Sequence, residues 1–171
     1  MKSALDFAHL LIPEMIVLAV DATVGHGKDT LILANRAEKV VGFEIQEEAY
    51  NCACQLLSPF NVELFNVCHS RMAEFLNEEP EVIVFNLGYL PGGSKDITTE
   101  AATTKKAILA GFKLLKKGGR IIIVAYGHIE GQEEIEMLKT LEFNQKEADV
   151  FRMVHYNGIN NPPEAWLIVK K

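Results

Sequence analysis

The sequence predicts an α/β fold: a mostly parallel, seven-stranded sheet with helices on both faces. Three observations carry that expectation. Short apolar runs alternate with helix-like segments along the chain, the pattern of strands joined by crossover helices. The central runs are continuously hydrophobic rather than alternating, as in strands covered on both faces. And only "NGINNPP" separates the last two runs, too short for a crossover helix, so those two strands must pair antiparallel.

The elements follow in order. Leu5, Ala8, Leu11 and Ile12 share one face of an amphipathic opening helix. The strand candidates are Ile16–Val20, Val40–Ile45, Val62–Phe65, Val82–Phe85, Ile121–Ala125, Val150–His155 and Ala165–Val169. Helix-like segments cover about 28–37, 46–58, 70–77, 99–116 and 131–142. Five parallel strands closed by an antiparallel pair form the Rossmann-like layout of class I methyltransferases. The expected order is 3-2-1-4-5-7-6 with strand 7 antiparallel. It sets the first and fourth strands side by side at the switch point where ligands bind.

A length of 171 residues fits one domain spanning 1–171. No apolar run reaches the ~18 residues of a membrane helix. The segment "MKSALDFAHLLIPEM" carries Asp6 and His9 and no small-residue cleavage site, so it is not expected to be a signal peptide. Cys52, Cys54 and Cys68 form an odd set expected to be free, small buried side chains in a reducing, cytoplasmic setting. Cys-x-Cys on a helix is poor zinc spacing, so no metal is expected. A net charge of -6 argues against a large nonspecific nucleic-acid footprint but leaves room for a local cluster. Lys113, Lys116, Lys117 and Arg120, with Lys95, Lys105 and Lys106 upstream, either touch phosphates or form a solvated helix face.

"DATVGHGKDT" follows the first strand and opens a helix. Gly25 and Gly27 let the backbone approach a ligand beside unpaired helix amides. Thr30 replaces the third glycine of a dinucleotide fingerprint. Glu44, at the tip of the second strand, is placed to accept ribose hydroxyls. Asp29 and Thr30 either cap amides or reach the ligand. Asp21 is expected near the amino-acid end of a cofactor, and His69, in "NVCHS", near an adenine edge.

The fourth strand exits into "NLGYLPGGSKDITT", beside the first strand. Asn86-x-Gly88-Tyr89 resembles the Asn/Asp-Pro-Pro-Tyr/Phe signature of methyltransferases acting on amino nitrogens. An amide oxygen there can aim an amine's lone pair, an aromatic ring can stack on a base, and Gly88, Gly92 and Gly93 keep the entrance clear.

Together "DATVGHGKDT", "NLGYLPGGSKDITT", "AYGHIEGQEE" and the closing "NPP" resemble the MnmM (YtqB-like) family of tRNA methyltransferases, formerly catalogued as rRNA methylases. The resemblance spans nearly the whole chain. It implies S-adenosylmethionine-dependent methylation of the 5-aminomethyl group of wobble uridine 34, with a tRNA anticodon stem-loop as partner; a homodimer is left open. Carried over, Asp21, Thr23, Gly25, Gly27, Asp29, Thr30, Glu44, Gln46 and His69 line the cofactor. Asn86, Leu87 and Gly88 border both cofactor and amine, with Asn86 and Tyr89 catalytic. Tyr89, Pro91, Gly92, Tyr126, Gly127 and His128 face the substrate. His26 and Ser94 depart from the asparagine and aspartate expected there. Two rivals are an oxidoreductase on the same loop, disfavoured by Thr30 and the antiparallel ending, and a non-catalytic cofactor-binding subunit. Within methyltransferases, rRNA or a small amine remains an alternative substrate.

Overall fold

In a computed structural model, the structure describes residues 3–88, 98–127 and 131–171. Its elements are α1 (Ala4–Leu10), β1 (Ile16–Asp21), α2 (Lys28–Ala34), β2 (Ala37–Phe43), α3 (Glu47–Leu57) and β3 (Val62–Phe65), then a 3-10 turn (His69–Glu74). β4 (Val82–Asn86), α4 (Ala101–Leu114), β5 (Arg120–Ala125), α5 (Gln132–Lys139), β6 (Ala148–Met153) and β7 (Glu164–Lys170) complete the chain. The strand order is β3-β2-β1-β4-β5-β7-β6. β7 runs antiparallel to both β5 and β6, and the other pairs are parallel. This is the class I methyltransferase topology read from the sequence.

Strand alternation sorts the core into two layers. Ile121 and Ile123 pack with Leu18, Val20, Ile83 and Phe85 under α4 and α5. Ile122 and Val124 pack with Ala19, Val40, Val82 and Val84 against α1 and α2. Each β5 residue from Ile121 to Ala125 is at most 1% exposed, which explains the unbroken apolar run. α1 is held at its start by a capping box: Asp6 N donates to Ser3 Oγ, 3.1 Å, and Ser3 N donates to the Asp6 carboxylate, 3.0 Å. Ala4, Ala8 and Ile12 then bury against the sheet.

Several sequence expectations shift. The segment expected as a helix over 70–77 is instead a short 3-10 helix, His69–Glu74. β2 begins at Ala37 and ends at Phe43, so Glu44 and Ile45 lie beyond it. The cysteines are free but not buried: Cys52 is exposed, and Cys54 and Cys68 are partly exposed. α3 buries Ala49, Ala53 and Leu57, a stripe at four-residue spacing that leaves both of its cysteines off the core face.

Candidate functional site

A cavity of about 580 Å³ opens at the carboxyl ends of β1, β2 and β4, where the strand order reverses. That volume lies within the roughly 300–1,000 Å³ of small-molecule sites. Thr23, Gly25, Asp29, Glu44 and Gln46 line one part of its wall. His69, Asn86, Leu87, Gly88 and Tyr126 line the rest of the predicted set. Asp21, Gly27 and Thr30 are not on that wall; they shape it from behind.

Asp21 is 1% exposed and accepts from Thr23 N, 3.0 Å, and Thr30 Oγ1, 2.7 Å. These bonds fold the glycine loop over the end of β1. Gly27, at φ 84, begins α2 in a left-handed conformation open to glycine at little cost. Burial raises the Asp21 carboxyl from 3.8 to about 7, with the neighbouring Asp29 charge adding to the rise and the Thr30 hydroxyl opposing it. The unfolded carboxyl ionises near its ordinary value, well before the folded one. The folded state therefore holds the extra proton, and stability present below about pH 4 is lost as pH rises toward 7. Thermal melts should show the wild type losing stability across that window relative to Asp21→Asn. Parallel curves for the two proteins would refute the buried-acid assignment.

Glu44 uses both carboxylate oxygens on backbone: Oε2 accepts from Gly25 N, 2.7 Å, and Oε1 from Gln46 N, 2.8 Å. It ties the glycine loop to the turn after β2. A carboxylate has about four acceptor positions, so two remain for hydroxyls entering the cavity. His69 is held by a 3.2 Å contact from Nδ1 to the Ala22 carbonyl. With Nδ1 donating, Nε2 is a bare acceptor; it is buried and has no partner among the described residues. Burial also lowers this imidazole's pKa, favouring its neutral form.

Asn86 sits at the end of β4, its N–H donating to Thr23 Oγ1, 2.7 Å. Its Nδ2 donates to Asp29 Oδ2, 2.9 Å. Nδ2 is committed to that carboxylate, which leaves Oδ1 as the amide's acceptor on a residue that lines the cavity. Asp29 is itself bonded to His9 Nε2, 2.9 Å. Asp29 is thus neither a simple cap nor a free wall residue: it orients Asn86. His9 was not legible as a site residue, since it reads as the polar face of α1.

A second device holds the segment after Asn86. Gly88 N donates to Thr99 Oγ1, 2.8 Å, and Thr99 N donates to the Gly88 carbonyl, 3.2 Å. Thr99 Oγ1 in turn donates to Glu134 Oε2, 2.9 Å, and Thr104 Oγ1 donates to Glu134 Oε1, 3.0 Å. Glu134 is 1% exposed, and desolvation raises its pKa against the pull of the two hydroxyls. Glu134 therefore braces Thr99, the residue that pairs with Gly88. Glu134→Ala strands the buried Thr104 hydroxyl and the half-buried one of Thr99, at a cost on the order of 1–3 kcal/mol. It should loosen the wall at Gly88, raising KM for whatever substrate enters there more than it changes affinity for a ligand held at Glu44; equal values for mutant and wild type would refute the brace.

Tyr89, Pro91, Gly92 and His128, together with Gly93, Ser94 and Lys95, lie outside the described residues. The basic cluster is placed away from the cavity. Arg120 begins β5, and five steps at about 3.3 Å set it roughly 17 Å from Ala125 at the cavity end. Its guanidinium donates to the Leu11 carbonyl, and Lys116 pairs with Glu81 at 2.6 Å. The sheet end bearing Lys113, Lys116, Lys117 and Arg120 is thus opposite the cavity, which favours the solvated-face reading. Residues the sequence did not single out include Ile45, 60% exposed at the cavity wall, and Val67 and Thr103. Ile45 had been placed inside a strand, hiding an exposed apolar group next to Glu44.

The family described as "Putative rRNA methylase" matches residues 40–169. The chain belongs to that family. A curated relative, "tRNA (mnm(5)s(2)U34)-methyltransferase, chloroplastic" of Arabidopsis thaliana, is 37% identical over 159 residues. The alignment covers 81% of this chain, and the chain spans 58% of that relative's length. Among solved structures of the same fold, a protein of Clostridium thermocellum described as a putative rRNA-methylase superposes with a TM-score of 0.91 at 34% identity, covering 100% of this chain and 99% of its own. A Streptococcus mutans protein described as a putative methyltransferase, solved in complex with SAH, gives 0.92 at 32% identity, covering 100% and 99%. Among the described residues no helix is long and apolar enough to cross a membrane, and no three His, Cys, Asp or Glu side chains form a metal-binding group.

Proposed function

We propose that this protein is an S-adenosylmethionine-dependent methyltransferase acting on the 5-aminomethyl nitrogen of wobble uridine 34 in tRNA. The observation that carries the reading is Asn86, a cavity-lining residue whose amide nitrogen is taken by Asp29, which leaves its amide oxygen as the acceptor. Amine methylation requires an acceptor that takes a substrate N–H and leaves the lone pair free. The family match and the tRNA-modifying relative support the substrate class; the relative solved with SAH supports the cofactor.

The wall suits the cofactor. Glu44 offers the remaining lone pairs for ribose hydroxyls, and His69 Nε2, an orphaned acceptor, suits an exocyclic amine such as that of adenine. Ile45 and Val67 supply apolar flanks. When bound, S-adenosylmethionine supplies a sulfonium-activated methyl carbon that the amine nitrogen accepts as the carbon–sulfur bond breaks. The protein's own part is positioning. Asp29 and Thr23 hold Asn86, Glu134 and Thr99 hold the entrance at Gly88, and the apolar walls exclude water. No side chain is needed as a strong base: the ammonium form gives its extra proton to solvent on binding, and the neutral amine attacks. The methylated ammonium formed carries the charge that the sulfonium loses and equilibrates with solvent after release.

The setting proposed with this reading is cytoplasmic, and the partner is the anticodon stem-loop. Nucleoside mass spectrometry of tRNA from a deletion strain tests it. The methylaminomethyl nucleoside should vanish and its aminomethyl precursor accumulate; an unchanged nucleoside profile would overturn the proposal.

A further inference from the structure

We propose that the loop joining β6 to β7, residues 154–163, is a nucleobase platform on which Tyr156 stacks a base flanking the reacting uridine. This deepens the RNA-methylation reading and depends on it.

Topology puts the loop at the right end. β6 and β5 are each antiparallel to β7, so β6 runs the same way as β5. Its carboxyl end therefore emerges beside those of β5 and β4, where Asn86 and Tyr126 lie. The loop also touches the cavity wall. A Cβ on Gly127 would fall 2.5 Å from the Asn161 carbonyl oxygen and 2.8 Å from Asn161 Cβ, so only glycine allows this approach. The residue before it, Tyr126, lines the cavity.

What the loop presents is unusual for a solvent turn. Tyr156 is 99% exposed, Ile159 82% and Val154 46%, an apolar group that the described residues leave largely uncovered. The sequence "VHYNGINNPP" carries no carboxylate, in a chain of net charge -6, so the loop does not repel phosphates. It is also preformed. Gly158 N donates to the His155 carbonyl, 2.9 Å, which closes a turn with Tyr156 at its corner. Asn160 and Asn161 follow at φ 58 and 48, consecutive left-handed residues that asparagine tolerates better than most. An exposed phenol on a loop whose Asn161 packs against Gly127, next to the cavity-lining Tyr126, suits stacking on a base that flanks the reacting one, where single-stranded RNA exposes its π-faces.

The test uses purified full-length protein and a 5-aminomethyluridine anticodon stem-loop. Tyr156 supports nothing beneath it, so its truncation leaves the fold intact. Tyr156→Ala should weaken stem-loop binding by roughly ten- to a hundredfold. Tyr156→Phe should restore most of it, and S-adenosylmethionine affinity by calorimetry should not move. The slope of log affinity against log salt should stay the same, because a stacking contact releases no counterion. Unchanged binding by Tyr156→Ala would overturn the platform alone. A loss accompanied by a change from dimer to monomer in sedimentation would overturn it too, assigning the loop to self-association. If wild type bound S-adenosylmethionine but neither bound nor methylated the stem-loop, the RNA reading would fail, and this proposal with it.

Discussion

Asn86→Ala is expected to lower turnover by about two to three orders of magnitude while cofactor affinity stays nearly unchanged. The scale is that of deleting one preoriented polar group acting at a reacting centre, roughly 10²–10³ in kcat. Orientation is the reason to expect so much. Asp29 takes the Asn86 amide nitrogen at 2.9 Å, and Thr23 takes its backbone N–H at 2.7 Å, so the carbonyl oxygen is set before substrate arrives. An alkylamine resembles lysine, with a pKa of about 10, and must bind neutral to react. The wild-type rate should therefore climb with pH until the bound amine has lost its proton. Asp29→Ala should reproduce part of the defect, since it frees the amide without removing it. Single-turnover kinetics beside calorimetry separates the two quantities, and the expected signature is a kcat loss without a binding loss. Near-normal turnover in Asn86→Ala would reduce the exit of β4 to a turn.

Glu44→Ala should produce the complementary pattern, with cofactor affinity falling about tenfold or more. Hydrogen bonds to a charged acceptor contribute about 1.5–3 kcal/mol each, and tenfold corresponds to about 1.4 kcal/mol. Here the carboxylate has a second task, bracing Gly25 N and Gln46 N at 2.7 and 2.8 Å. Its removal loosens the glycine loop as well as the ribose contact, so the effect should exceed that of a simple hydroxyl acceptor. Glu44→Gln keeps one acceptor oxygen and should fall between. Unchanged affinity in Glu44→Ala, by titration calorimetry, would refute the placement of the cofactor along β2.

Much of this was legible in the sequence because it is written in local pattern. Continuous apolar runs named the buried strands, and the shortness of "NGINNPP" forced the antiparallel ending found at β7. The glycine loop, Glu44 and Asn86 were readable because their chemistry sits at strand ends. What escaped is tertiary. His9 reaches Asp29 from twenty residues away, and Glu134 reaches Thr99 across thirty-five; no spacing rule connects such pairs. Asp21 could be read as touching the cofactor directly or as ordering the loop; its bonds to Thr23 N and Thr30 Oγ1 favour the second. The lysines at the end of α4 could be read as a phosphate track or a solvated face, because charge density is visible in sequence, whereas which end of the sheet they occupy is not.

The most direct measurement of the central claim is a reconstituted reaction. Purified protein is incubated with S-adenosylmethionine and tRNA carrying 5-aminomethyluridine at position 34, and the nucleosides are analysed by mass spectrometry. The account predicts that this nucleoside gains one methyl group on its aminomethyl nitrogen, that Asn86→Ala abolishes the gain at matched times, and that other nucleosides do not change. Methyl transfer to a different nucleoside, or none from a preparation shown by calorimetry to bind S-adenosylmethionine, would contradict it.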